Sequence, residues 1–361
     1  MRHAQIAFRG HSASLAQASA EVGGLQLAGW LREAPHLRLR RWLSAVVGIV
    51  GIAIAIAALW TRGSATSGGI VFQAQVNGVN QLFTIHPDGI GLKQITHLVV
   101  TDRQVSGAEA PRWSPDGKLI IFDSGYDPKP KQKIGLFTIR PNGRELKRLP
   151  LVTGLYNAQP EWSPDGKQIA YTLEAGDRSA DRQGIEVTQA DGSFPYALTR
   201  RSKIYIFDGD PAWSPNGDWI AFTEDYGPTA AVIMKVRDVG GNPIELTRRD
   251  LNAANPRWSP DGRKILFNSH NPPQPGQDAN LYTMNANGKN LRQLTRYKGG
   301  KLHAFANGWS PDGTQIVYHL RGTLRNGRNI DQLFTIQADG RNNRQLTHLP
   351  NGSSPSHGDW H

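Results

Sequence analysis

The chain has 361 residues, 41 Lys and Arg against 30 Asp and Glu, a formal net charge of +11 and no cysteine. Disulfides, thiolate nucleophiles and cysteine-ligated zinc are therefore excluded. The basic balance favours anionic surfaces such as lipid head groups or acidic polymers without naming one, and no nucleic-acid-binding module is recognisable.

Residues 1–41 form a polar, basic tail with no repeat. From Trp42 to Trp60 run 19 residues without a charge. At about 1.5 Å per residue such a helix just spans a bilayer core, and a tryptophan at each end suits the two interfaces. Arg32, Arg38, Arg40 and Arg41 precede this run, whereas only Arg62 follows before Lys93. The positive-inside rule then puts the tail in the cytoplasm and the remainder in the periplasm or outside the cell. The reading is a signal anchor at 42–60; the alternative is a signal peptide, cleaved to release a secreted protein. A 41-residue leader and so long an apolar run weigh against cleavage. Thr61–Gly69 reads as a flexible tether.

From residue 70 onward one phrase recurs: Trp-Ser-Pro-Asp-Gly begins at Trp113, Trp162, Trp258 and Trp309, and at Trp213 with Asn216 in place of the aspartate. Trp360 falls 51 residues after Trp309, the interval that also separates Trp258 from Trp309. Ser-Pro-Asp-Gly is turn chemistry, since proline presets φ and glycine accepts positive φ. Seven residues after each phrase-initial Trp stands Ile (120, 169, 220, 265, 316), and nine after it an aromatic (Phe122, Tyr171, Phe222, Phe267, Tyr318). Period-two spacing puts both on one strand face. A third strand reads Leu82-Phe83-Thr84-Ile85 and its copies, a glycine turn follows at 89, 143, 192, 240, 288 and 340, and a fourth strand ends in versions of Leu-Thr.

Residues 70–97 begin in mid-unit, so the innermost strand of that unit has to come from Ser356–His361. The fold class is all-β: a six-bladed β-propeller over 70–361, closed by pairing of its N- and C-terminal strands and preceded by one transmembrane helix. Radial closure leaves only short, protected edges. The phrase, its Ile-x-aromatic strand and its Asp-Gly turn resemble the TolB-like propeller family over all six units. That resemblance implies the propeller fold; on function it implies little, because the family spans periplasmic interaction proteins and gating domains of serine peptidases.

Connections between strands two and three are long and unlike (Ser124–Lys133, Glu174–Gln183, His270–Asn280, Leu320–Gln332), as are those from strand four to one (Arg200–Gly209, Arg296–Asn307). Both sets emerge on one face, the expected binding face. At the channel mouth, the residues ahead of each tryptophan make a candidate ligand set: Glu109, Asn157, Gln159, Asp208, Asp210, Asn255, His303, Asn307, His357 and Asp359. The repeat anchors are Trp113, Trp162, Trp213, Trp258, Trp309 and Trp360. The turn aspartates are assigned to turn formation. Period two would align His357, Asp359 and His361 for a metal, though strand anchoring explains them more simply, and no metal or cofactor is assigned. No Gly-x-Ser-x-Gly elbow occurs, and no catalytic residue is named. The expected role is a non-catalytic module binding an envelope protein or peptide. The alternative is a channel-centred carbohydrate-binding protein or lyase acting on an acidic polymer, using His303 and His357.

Overall fold

In the computed structural model the described residues are 69–99, 107–126, 134–151, 156–174, 183–199, 207–227, 230–269 and 278–361. The expected tail, anchor and most of the tether lie outside them, as do the centres of several long connections. Among the described residues no helix is long and apolar enough to cross a membrane.

Six four-stranded antiparallel sheets form the ring. Blade one holds β1 (Ile70–Val76), β2 (Val79–Ile85) and β3 (Lys93–Gln94); blade two holds β4 (Ala108–Trp113), β5 (Ile120–Ser124), β6 (Gly135–Ile139) and β7 (Lys147–Arg148). Blade three is β8 (Tyr156–Trp162), β9 (Gln168–Glu174), β10 (Gly184–Gln189) and β11 (Tyr196–Ala197). Blade four is β12 (Phe207–Trp213), β13 (Trp219–Asp225), β14 (Ala231–Arg237) and β15 (Ile244–Glu245). Blade five is β16 (Ala253–Trp258), β17 (Lys264–Ser269), β18 (Asn280–Asn285) and β19 (Arg292–Gln293). Blade six is β20 (Leu302–Trp309), β21 (Gln315–Thr323), β22 (Asn329–Gln337) and β23 (Arg344–Gln345). The last strand, β24 (Ser356–Trp360), returns to blade one and lies beside β1, with Ile70 opposite Trp360 and Val71 opposite Asp359.

The turn phrase folds identically in each copy. Ser114 Oγ donates to Asp116 Oδ1 and accepts from the Leu119 N–H, and Asp116 Oδ1 also accepts from the Lys118 N–H. These bonds, the one from Ser114 foremost, pull the Asp116 carboxyl down to about 2. Asn216 serves as well, because its Oδ1 accepts from Ser214 at 2.7 Å. The Leu-Thr ending has a similar local cause. Thr96, Thr199, Thr247, Thr295 and Thr347 each accept an N–H of the third strand, from Leu82, Ile185, Ile233, Leu281 and Leu333, at 2.8–2.9 Å.

The core sits between blades rather than within them. Val71 of blade one packs with Ile120 and Phe122 of blade two, and Ala170 and Val187 of blade three with Trp213 and Phe222 of blade four. Trp258 and Trp309 donate their indole N–H to Ala212 O and Arg257 O of the preceding blade, both at 3.1 Å.

One connection differs from its sequence reading. Leu320–Gln332, expected as a loop, is mostly hairpin: Arg321 pairs with Asp331, Gly322 with Ile330 and Thr323 with Asn329. Asn326-Gly327 turns it, with Gly327 at φ 80°, so the tight turn sits at the tip instead of the base.

Two stability outcomes follow. Deleting Ser356–His361 strips β1 of its inner neighbour, and we expect loss of cooperative melting. Trp309→Ala empties a site where the ring is 7% exposed; a loss of about 3–5 kcal/mol in denaturant unfolding is expected. A truncated chain that melts unchanged would remove the case for closure.

Candidate functional site: the channel wall and its mouth

Every inner strand carries a β-bulge two to three residues before its tryptophan, seen as register shifts at Glu109/Arg112, Ala158/Glu161, Gly209/Ala212, Ala254/Arg257 and Ala306/Gly308, and opposite Val71/Gln73 in blade one. Pro111, Pro160, Pro211 and Pro256 occupy the bulges, where a missing donor costs the ladder nothing. In five blades the residue before the bulge centre is left-handed: Ala110 (φ 45°), Gln159 (53°), Asp210 (54°), Asn255 (59°) and His357 (52°). Such a turn aims the backbone N–H out of its own sheet, toward the preceding blade.

Side chains of that blade meet it. Gln73 Oε1 accepts the Ala110 N–H at 2.7 Å, and Asp123 Oδ2 the Gln159 N–H at 2.7 Å. Thr223 Oγ1 accepts from Asn255 at 3.1 Å, and Asn268 Oδ1 from Ala306 at 3.3 Å. In blade three the short Thr172 side chain donates to Gln159 Oε1, which itself takes the Asp210 N–H at 3.0 Å. Gln73, Asp123, Thr172, Thr223, Asn268 and His319 all occupy one place, directly after the second-strand aromatic, and all are buried. Sequence reasoning passed over them. The available signal was a polar residue in every copy where alternation leads to another channel-side position.

The residue just before each tryptophan forms a second layer: Asp359, Arg112, Glu161, Ala212, Arg257 and Gly308 around the ring. Arg112 binds Glu161 of the next blade at 2.9 Å and Pro111 O at 2.8 Å, while Arg257 binds Asn307 O at 3.0 Å and Pro256 O at 2.8 Å. Asp359 Oδ2 accepts the Trp113 N–H at 2.8 Å. Arg112 is buried, and its charge reaches four blades. Burial pushes Asp123 up to about 7, with Glu109 adding and the Gln159 N–H and Arg112 opposing. Burial likewise raises Asp210 to about 6 against the pull of Arg112. Glu161 is raised by burial and by Asp359, with Arg112 opposing. His357 is depressed to about 3 by burial, then by Arg112 and His319.

The expected mouth residues separate into groups. Gln159 and Asp210 meet at 2.7 Å, and Asn255 follows in the same bulge layer. Glu109 accepts from Asn80 at 2.8 Å and is raised by burial. Asn157 and Asp208 are buried at equivalent positions near the far ends of their strands, and Asp208 accepts from Thr199 at 2.8 Å. Asn307 lies buried in the sixth bulge, its amide set to accept from the Gly358 N–H. His303 packs at 6.4 Å from the Phe305 ring and pairs with Arg321 across the sheet; Phe305 stacks on His319 at 5.5 Å. His319, rather than His303, is the imidazole whose charge acts on His357.

The alignment of His357, Asp359 and His361 is broken by the bulge at His357–Gly358. His361 instead lies 5.7 Å from the Trp113 ring. Among the described residues, no three His, Cys, Asp or Glu side chains are grouped to hold a metal.

On the face with the long connections, the extended hairpin borders a pocket of about 370 Å³ lined by Arg321, Asn329, Ile330, Asp331, Gln332 and Asn351 among others. Asp331 bonds His319 at 2.6 Å, which with Arg321 nearby holds its carboxyl low despite burial.

Closed six-bladed geometry with this turn phrase defines a propeller protein. The chain belongs to the TolB β-propeller domain family (PD40), whose model matches residues 61–253 and 174–358. Among curated proteins it is similar to the uncharacterized peptidase YuxL of Bacillus subtilis, 30% identical over 136 residues. That match spans 36% of this chain and only 19% of the relative. The uncharacterized protein Atu1656 of Agrobacterium fabrum is 27% identical over 58% of this chain and 83% of its own length. Oligogalacturonate lyase of Dickeya dadantii is 24% identical over 38% of this chain and 35% of its own. Among solved structures, TolB from Acinetobacter baumannii superposes with a TM-score of 0.62 at 21% identity, covering 81% of this chain and 66% of that one. A putative TolB from Agrobacterium tumefaciens gives 0.59 at 18%, covering 80% and 92%. An oligogalacturonate lyase from Vibrio parahaemolyticus gives 0.53 at 13%, covering 79% and 77%. These structural likenesses show the fold alone.

The raised carboxyls have a signed consequence. Asp123 and Asp210 hold protons more tightly folded than unfolded, where a carboxyl titrates near 4. Their contribution is complete below that value and is lost as pH rises through about 7 and about 6. His357 acts in the opposite sense, contributing above its unfolded value near 6.5 and losing that contribution as pH falls toward about 3. Asp123→Asn keeps the acceptor for Gln159 and removes the titration. Its melting temperature relative to the parent is expected to climb steadily between pH 5 and pH 8; a constant difference would contradict the assignment.

Proposed function

We propose that the chain is a membrane-anchored, outward-facing propeller of the cell envelope that binds a protein or peptide without chemistry of its own. The observation that carries this reading is the unlike construction of its two faces. One face is built from stereotyped turns. The other carries unequal connections, among them the β21–β22 hairpin, whose strands run to Thr323 and from Asn329. Binding residues concentrate on such loops when a rigid scaffold holds them, and here the blade-to-blade bonds of the channel wall supply the rigidity.

The pocket beside the hairpin offers a cation, a carboxylate and several amides, a set suited to peptide backbone and mixed side chains. The mouth groups named from the sequence would act mainly by fixing the wall, because most of them already bond neighbouring blades. The uncharged run 42–60 supports the anchor, and the arginine excess before it supports an outward ring.

A second reading keeps a specific observation in its favour. His303, Phe305 and His319 form a row at the blade-six side of the mouth, with Asp331 on His319 and Arg321 within 4.0 Å of Asp331. A cationic, imidazole-lined rim suits an acidic sugar polymer, and named relatives include oligogalacturonate lyases. In this reading the ring binds or cleaves such a polymer.

Photo-crosslinking residues placed at Arg325 and Asn351 in intact cells separate the two. We expect one discrete adduct from both positions and none from Lys289 on the turn face. Equal labelling at all three positions would defeat the binding module, and uronic-polymer turnover abolished by His319→Ala or His303→Ala would favour the second reading.

A further inference from the structure

Among the described residues, nine large hydrophobic side chains are exposed, and eight belong to the turns between third and fourth strands or to the first residue of the fourth. Counted from each turn glycine, position three is Leu92, Leu146 and Leu291 in blades one, two and five, and each is followed by a cation: Lys93, Lys147 and Arg292. Blades three and four carry proline at position three, and the next residues, Tyr196 and Ile244, are exposed instead. Their turns add Phe194 and Val239, each 82% exposed, and blade one adds Ile90 at 70%. These turns share a face with the Ser-Pro-Asp-Gly turns, as backbone bonds from Ala190 to Lys167 and from Ala286 to Arg263 show.

We propose that this turn face lies against an anionic lipid surface. Single apolar side chains are ordinary on protein surfaces, but eight of the nine among the described residues share one face across five blades. They are spread around a rim rather than gathered into one patch, which fits a planar fluid partner better than a protein knob. In blades one, two and five an exposed leucine stands beside a cation, and Lys118, Arg144, Lys167, Arg263, Lys289 and Arg341 add positive charge among the turn aspartates. Binding at an interface adds apolar insertion to attraction for anionic head groups.

A third argument rests on the anchor proposed above. Gly69, where the described ring begins, accepts the His361 N–H, and Ile70 stands opposite Ile85 and Trp360 at the turn-face end of blade one. Eight residues separate it from Trp60, and a chain reaches at most about 3.6 Å per residue. The described ring thus joins the segment leading back to residues 42–60 at its turn face, within about 30 Å of chain. The long connections lie on the opposite face.

Because the chain has no cysteine, single labels can be placed in the full-length protein. Phe194→Cys and Val239→Cys would carry a polarity-sensitive dye, with Arg325→Cys on the opposite face as reference. The protein is reconstituted into phosphatidylcholine vesicles with and without phosphatidylglycerol. With the anionic lipid, dyes at 194 and 239 should shift to the blue and be quenched by lipid-borne nitroxides, while the dye at 325 does neither. Each cation brought to such a surface is worth about five-fold, so Lys93→Gln with Lys147→Gln should weaken apposition more than ten-fold in the same assay.

Dyes at 194 and 239 as wet as at 325 would overturn the inference, as would a shift that requires added membrane proteins. Flotation after alkaline carbonate tests the anchor separately. Carbonate-resistant protein with wet rim dyes keeps the anchor and sinks the inference. Shifted dyes on protein that carbonate strips from vesicles would do the reverse.

Discussion

A backbone N–H turned out of its own sheet, in the seam between two blades, is the constraint on which the ring depends. Each inner strand bulges before its tryptophan, and the bulge leaves a donor that the blade's own ladder cannot use. An unmet buried donor costs about 1–3 kcal/mol, and five such sites circle the channel at Ala110, Gln159, Asp210, Asn255 and Ala306. The preceding blade answers with one side chain each time. Hydrophobic burial holds the blades together, but these bonds fix their angular register, since a latch closes only when neighbouring strands stand at the right offset.

The same constraint accounts for the electrostatics of the channel. Any polar side chain of suitable reach can close the latch, and blade two uses a carboxylate. Asp123 is thereby buried beside Glu109, and the wall nearby also holds Asp210 and Glu161. Arg112 lies where it lowers the cost of all but Glu109, and it bonds Glu161 directly. A buried charge stripped of its partner would cost several kcal/mol, so Arg112 is tied to the wall it neutralises. Most polar groups of the wall are consequently engaged with neighbouring blades.

Blade number, closure and blade boundaries were legible because each copy repeats the same residues for the same local reason. Trp, Ser, Asp and Gly are specified by turn geometry, and the Ile-x-aromatic pair by burial. The latch was harder to see, because Gln73, Asp123, Thr172, Thr223, Asn268 and His319 share only polarity and reach. The β21–β22 extension read as loop since Arg321–Arg328 has few apolar residues, and its pairing rests on the backbone ladder and on polar cross-strand pairs such as Thr323 with Asn329. His357 sits in the bulge layer, which the sequence reading did not foresee, so strict period two wrongly aligned it with Asp359. An extra residue reverses the alternation there, and such a shift is set by the strand's partner rather than by its own sequence.

Native-state hydrogen exchange at Ala110, Gln159, Asp210 and Asn255 tests the latch most directly. If the preceding blade holds these donors, all four should exchange only through global unfolding, as slowly as Ile120 or Ile220 in the second strands. Rapid exchange at these four amides, with the second strands still protected, would mean that the bulges open locally and that the ring owes its register to something else.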